Sequence, residues 1–225
     1  MFMRSMETNA EHRQRRASGF SLIEMVIVLA LIMVLASITF INMVPVMKQQ
    51  RINNAYNTTL SAMRQARDNA VSQRTSYKVT FTAAVLPASN TIKVEPTLAG
   101  GFAGAQSTVT YQLPMDVSFA VQSGFPSPGP DGFGVGTSAI DFGYTANGVG
   151  TGTQNIIYFC PDGSAQDAEG VAGTCAGSWD SGVVYIGRPG ELLSSRAITL
   201  WGGTGRVRGW RLYAKSGGGY QWLRQ

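Results

Sequence analysis

The sequence predicts an α+β protein: one long N-terminal helix followed by a small antiparallel β-sheet or sandwich. Two distributions carry this prediction. Of the 27 glycines, one is Gly19 and all the others fall at or after Gly100. Glycine costs a helix interior about 1 kcal/mol relative to alanine, so the glycine-free stretch 20–99 can hold a long helix. The glycine-rich remainder instead carries short alternating runs separated by turns, with no second helical pattern.

Composition narrows the field. The chain has 225 residues, enough for one domain and an appendage. Hydrophobic residues make up 44% and charged residues 14%, which excludes a disordered chain. A formal charge of +5 invites a nucleic-acid or membrane reading. One histidine and two cysteines leave little material for a histidine-based triad or a zinc site.

The helix is read in two parts. Residues 1–19 are polar and carry Arg4, Arg13, Arg15 and Arg16 against Glu7 and Glu11. From 20 to 47 the only polar residues are Ser21, Glu24, Ser37, Thr39 and Asn42. About 20 apolar residues at ~1.5 Å each cross a ~30 Å hydrocarbon core. The preceding arginines keep the N-terminus cytoplasmic and place the rest outside. A secretory signal, a plain signal anchor and a processed anchor all compete here. The apolar run is too long for a signal peptide, and no clean cleavage site follows it. A plain anchor gives no reason for Glu24, since a carboxylate in the bilayer costs about 2.5–3.5 kcal/mol.

Past the span, Pro45 is expected to kink the helix without ending it. Ile52, Tyr56, Leu60, Met63, Ala66 and Ala70 then recur at helical spacing, with basic residues at other positions. This predicts an amphipathic half, 45–75, packed on the globular part. Strands are predicted at 76–82, 91–95, 107–113, 117–121, 155–160, 183–187, 197–201 and 206–213. Turn-rich pieces lie between them, and 124–152 reads as a long loop or hairpin insertion.

The segment Gly19-Phe20-Ser21-Leu22-Ile23-Glu24 resembles the prepilin processing motif of type IV pilins and type II secretion pseudopilins. The resemblance implies a type IV pilin-like fold, a cleaved leader (1–19), a membrane and assembly helix (20–44) and an extracytoplasmic β-rich domain (76–225). It implies cleavage between Gly19 and Phe20 by the prepilin peptidase, N-methylation of Phe20, and Glu24 as the assembly glutamate. A buried carboxylate needs a cationic partner, and the free α-amino group of Phe20 in a neighbouring subunit can supply one. Implied partners are other pilins or pseudopilins and an inner-membrane assembly platform. The implied location is the bacterial inner membrane, single-pass, with a periplasmic C-terminal domain, and then a pilus or pseudopilus. The leader is longer than the shortest in the family.

The order of parts is further similar to the GspH/FimT-type minor pilins and pseudopilins. The matches are Phe159-Cys160-Pro161-Asp162-Gly163, Val184-Tyr-Ile-Gly-Arg188 and Gly205-Arg206-Val207-Arg208. They imply a structural subunit that primes or caps a secretion pseudopilus or a pilus. The alternative they imply is a pilus-tip DNA-binding subunit for DNA uptake, contacting DNA through Arg206, Arg208 and Arg211. The bland alternative for these arginines is a solvated strand edge that discourages sheet-to-sheet pairing.

Cleavage would remove His12, the single histidine, and with it histidine-based catalysis. No Walker loop is present, and neither a catalytic set nor a cofactor is expected. Cys160 and Cys175 would lie outside the cytoplasm, where a disulfide is the natural reading and two free thiols the alternative. Asp162, Asp167 and Glu169 crowd the same loop. Oxygen ligands suit calcium, but the spacing matches no EF-hand and solvated acids are commoner.

Charge is distributed in blocks. Between 48 and 93 there are seven positive residues and one negative. Between 94 and 187 there are eight acids and no base, and from Arg188 onward seven positives and one negative. A basic helix, an acidic glycine-rich middle and a basic C-terminal edge are the features that overall charge hides.

Overall fold

The computed structural model describes residues 19–84, 88–97, 108–133, 138–144, 150–170 and 174–225. Residues 1–18 of the expected leader, 146–149 of the expected turn at 146–152 and the first residue of the strand expected at 107–113 lie outside the described residues. The chain divides into two units, Met1–Pro45 and Val46–Gln225. One helix, α1 (Leu22–Gln73), continues from the first into the second, with Pro45 inside it.

In the first unit, the apolar side chains of α1 are exposed on every side. Leu22 is 82% exposed, and Leu29, Ile32, Leu35 and Phe40 are likewise open. An 18-residue window has a mean hydropathy of 2.7 with no part of it buried, long and apolar enough to cross a membrane. The hydroxyls of Ser37 and Thr39 donate to the carbonyls of Met33 and Leu35, one turn back. This keeps them satisfied where no water is available.

In the second unit, α1 is amphipathic as its spacing predicts. Ile52, Ala55, Tyr56, Met63, Ala66 and Ala70 are buried, and Leu60 is partly so. Twelve strands follow: β1 (Tyr77–Thr82), β2 (Thr91–Pro96), β3 (Val109–Gln112), β4 (Ser118–Phe119), β5 (Ile140–Tyr144), β6 (Gly150–Gln154), β7 (Ile156–Phe159), β8 (Ala165–Gln166), β9 (Ser181–Arg188), β10 (Glu191–Trp201), β11 (Arg206–Ala214) and β12 (Tyr220–Arg224). They form two sheets. One has the order β3-β2-β1-β7-β8. The other has the order β12-β11-β10-β9-β5-β6, with β4 also paired to β9. All the pairings are antiparallel. The α+β expectation therefore holds, with two sheets sharing the long helix.

Sequence patterning located eight of these strands and passed over β5, β6, β8 and β12. The strand expected at 117–121 shrinks to the two residues of β4. Part of the insertion expected at 124–152 is the β5–β6 pair. β5 does alternate, Ile140-Asp-Phe-Gly-Tyr144, but it is short and lies in a glycine-rich stretch that reads as turns, and β6 reads Gly-Thr-Gly-Thr-Gln with no apolar residue.

The main core lies where α1 meets both sheets. Tyr77, Val79 and Phe81 of β1, Ile157 and Phe159 of β7, and Val184, Ile186, Ile198 and Leu200 of β9–β10 all contribute. Phe81 makes ring contacts with Phe119 and Phe142, at 5.8 and 5.7 Å, joining the two sheets. Gly209 of β11 faces the helix. A Cβ there would sit 1.6 Å from the Tyr56 hydroxyl, so the position admits no side chain.

The other face of the second sheet carries a smaller cluster of Val183, Tyr185 and Ala197 with Phe133 and Tyr144. Phe125 and Trp222 pack beside it. Two buried carboxylates lie at its edge, Asp141 and Asp180, each 2% exposed. Asp141 Oδ2 accepts from the Tyr144 hydroxyl at 2.8 Å. Asp180 Oδ1 accepts from the Gly143 amide at 2.5 Å, and its Oδ2 has no partner. Burial pushes the Asp180 carboxyl up to about 7, opposed by the Gly143 bond and reinforced by the negative charges of Asp167 and Asp141.

Two outcomes follow from this packing. Gly209→Ala forces Tyr56 aside and should cost about 1–3 kcal/mol, read as a lower thermal midpoint by circular dichroism in detergent. Asp180 keeps its proton in the folded chain at pH values where the unfolded chain has lost it. Its contribution is therefore full below about pH 4 and is lost as pH rises through about 7. Thermal midpoints measured between pH 4 and 8 should show this decline, and Asp180→Asn should flatten it.

Candidate functional site

The N-terminal motif sits at the start of α1. Gly19, Phe20 and Ser21 precede the helix and are exposed, Phe20 at 78%. The Met25 amide donates to the Ser21 carbonyl at 3.2 Å, which closes the first turn. A peptide bond before an exposed, non-helical residue is open to a protease. Glu24 falls in that first turn, where a negative charge complements the helix dipole. It is the one charged residue between Gly19 and Lys48. Among the described residues, no cation lies within ion-pair distance of it.

The C-terminal motifs meet at a residue of α1. The Arg67 Nε–H donates to the Gly163 carbonyl at 3.2 Å. Gly163 and Gly205 both have positive φ, 83° and 57°, where side chains are strained. A Cβ on Gly205 would fall 2.1 Å from the Gly163 oxygen and 2.9 Å from Arg67 Nε. The glycines of Phe159-Cys160-Pro161-Asp162-Gly163 and Gly205-Arg206-Val207-Arg208 are thus two sides of one tight corner, with Arg67 between them. Sequence reasoning placed Arg67 only among the basic residues of the helix. Its single signal was its register on that helix, which does not show what it will meet.

A disulfide joins Cys160 and Cys175, with Cα atoms 5.8 Å apart. Within this loop the Asp162 carboxylate accepts from the backbone N–H and hydroxyl of Ser164. These bonds hold it below its ordinary value. Asp167 Oδ1 accepts from the Ser178 amide, and Glu169 is exposed. Among the described residues, no three potential metal ligands gather. The third matched segment ends at Arg188, which pairs with Asp116 at 3.2 Å and with Glu191 at 2.7 Å.

The three candidate DNA-contacting arginines have different surroundings. Arg206 is exposed, opposite Trp201 in the β10–β11 register. Arg208 shares that face, but its Nη1 donates to Asp131 at 2.6 Å. Asp131 is held by the Thr199 hydroxyl at 2.5 Å, and Trp210 Nε1–H donates to that same hydroxyl at 3.0 Å. Arg208 therefore clamps the turn Pro130–Gly132 onto the sheet. Arg211, an odd step along β11, lies on the helix side opposite Arg196. Arg196 is fully buried and donates to Asn53 and to the carbonyls of Ser194 and Ser195. Burial lowers its pKa to about 10, and the charge of Arg211 adds to the effect. Arg206 and Arg208 are brought to one face, and Arg211 is not.

Residues 14–40 match the family model described as the prokaryotic N-terminal methylation motif. No curated protein and no solved structure matches the chain significantly. The motif match, the exposed apolar helix and the α+β domain behind it together support a type IV pilin-like chain.

Proposed function

We propose that this chain is a minor pilin or pseudopilin of the GspH/FimT type, a processed structural subunit of a type II secretion pseudopilus or a type IV pilus. The observation that carries the reading is the methylation motif at 14–40, seated on a helix whose apolar side chains are exposed. In this reading residues 1–19 are the leader, 20–44 the membrane and assembly helix, 45–75 its amphipathic continuation and 76–225 the periplasmic domain. The prepilin peptidase cuts between Gly19 and Phe20 and methylates Phe20. The subunit then passes through the inner-membrane assembly platform into a fibre of other pilins or pseudopilins.

The chemistry of each residue supports its role. Gly19 presents an unhindered bond ahead of the helix. Glu24, one turn into the helix, meets the newly freed α-amino group of a neighbouring Phe20 as helices stack. That pairing replaces water for both charges, and it forms only when subunits stack. For the subgroup, the support is the corner in which the two C-terminal motif glycines close around Arg67. The role is structural rather than enzymatic. DNA uptake has less support, because Arg208 is held by Asp131 and Arg211 lies on the other face of its strand.

Glu24→Ala should leave processing intact, seen as the normal loss of leader mass, and reduce recovery of the chain in sheared fibres at least tenfold. Unchanged recovery would remove Glu24 from assembly. Gly19→Val should leave the precursor uncut.

A further inference from the structure

We infer that the groove between α1 and the start of β11, lined by Arg64, Arg67 and Arg206, docks a carboxylate-bearing segment of a partner subunit. Its volume is about 390 Å³, and Asp68, Thr204, Gly205 and Val207 complete its lining. It lies wholly within the second unit and opens to solvent.

Three arginines gather at this groove. Among the described residues, Arg51, Lys78, Lys93, Arg188 and Arg208 each reach a carboxylate within 4 Å. Arg64, Arg67 and Arg206 do not, and Asp68 is the single acid on their rim. Arg64 and Arg67 are three residues apart on one helix, a spacing at which like charges destabilise. Among the described residues, no acid forms an ion pair with these three arginines, and the groove concentrates their positive charge.

The site is also built. The bond from Arg67 Nε to the Gly163 carbonyl fixes that guanidinium and leaves its terminal nitrogens for an outside acceptor. Gly205 cannot take a side chain without striking this bond, so the corner is kept open to the groove. Planar guanidinium forks match carboxylates bidentately.

A carboxylate fits better than a phosphate chain. Asp68 repels a dianion more than a monoanion. A nucleic-acid backbone needs a track of cations, and the cation that follows Arg206 on its face of β11, Arg208, is taken by Asp131. The identity of the partner as a fellow subunit rests on the pilin reading above; the chemistry of the groove does not.

Two arms test this. In the first, fluorescein-labelled tetraglutamate is titrated against the full chain in detergent and followed by anisotropy. Arg64→Gln combined with Arg206→Gln should weaken binding at least tenfold and flatten its salt dependence, with an unchanged thermal midpoint. Lys48→Gln, outside the groove, should bind as the unaltered chain does. Equal binding by the double variant overturns the proposal. Inorganic phosphate or duplex DNA binding more tightly than the peptide through the same arginines overturns it as well. In the second arm, the double variant is followed in cells. Normal leader loss with reduced recovery in sheared fibres supports the proposal, and normal recovery overturns the subunit as occupant. Failure of the unaltered chain to be processed would count against the pilin reading alone, and the peptide arm would still decide the groove.

Discussion

The close approach of residues 52–70 of α1 to both sheets is the contact on which the second unit depends. Alanines at 55, 62, 66 and 70 bring the helix backbone near the strands. Tyr56 fills the space left by the missing side chain of Gly209. Neither sheet could bury its inner face without this helix, because the core residues of β1, β7, β9 and β10 all point toward it. Phe81 then locks the two sheets to each other through Phe119 and Phe142. Arg67 belongs to the same seam. Its position is set by the register of the helix, and it in turn sets the corner of the two glycine motifs.

The second sheet differs from the first in carrying a core cluster on its outer face as well. Arg208, Asp131, Thr199 and Trp210 form a chain of charge-assisted and neutral hydrogen bonds. This chain holds the turn Pro130–Gly132 over Tyr185 and its neighbours. It converts what would be an exposed strand face into a second small core. Burial there is what isolates Asp180 and raises its affinity for a proton.

Much of this was legible in the sequence. The glycine distribution separates the helix from the strands because glycine penalises helices and permits tight turns. The spacing of Ile52, Tyr56, Met63, Ala66 and Ala70 marks the buried stripe, since helical periodicity is a local property. The N-terminal methylation motif is contiguous and so can be read directly. Contacts between distant segments were not legible. That Arg67 meets Gly163, 96 residues later, depends on sheet order. So does the pairing of Arg208 with Asp131, 77 residues earlier. Arg206, Arg208 and Arg211 look like one patch in sequence. The two-residue period of a strand puts the third on the other side.

In the proposed pilin subunit, the apolar first half of α1 also constrains how copies can find one another. A helix with no internal cover for its apolar side chains is held at a bilayer, so encounters become a search in two dimensions rather than three. Height is settled before any contact forms, and the contacts themselves need supply little affinity. Leaving the bilayer then requires another apolar environment of the same length, and helices of the same kind, laid side by side, provide one.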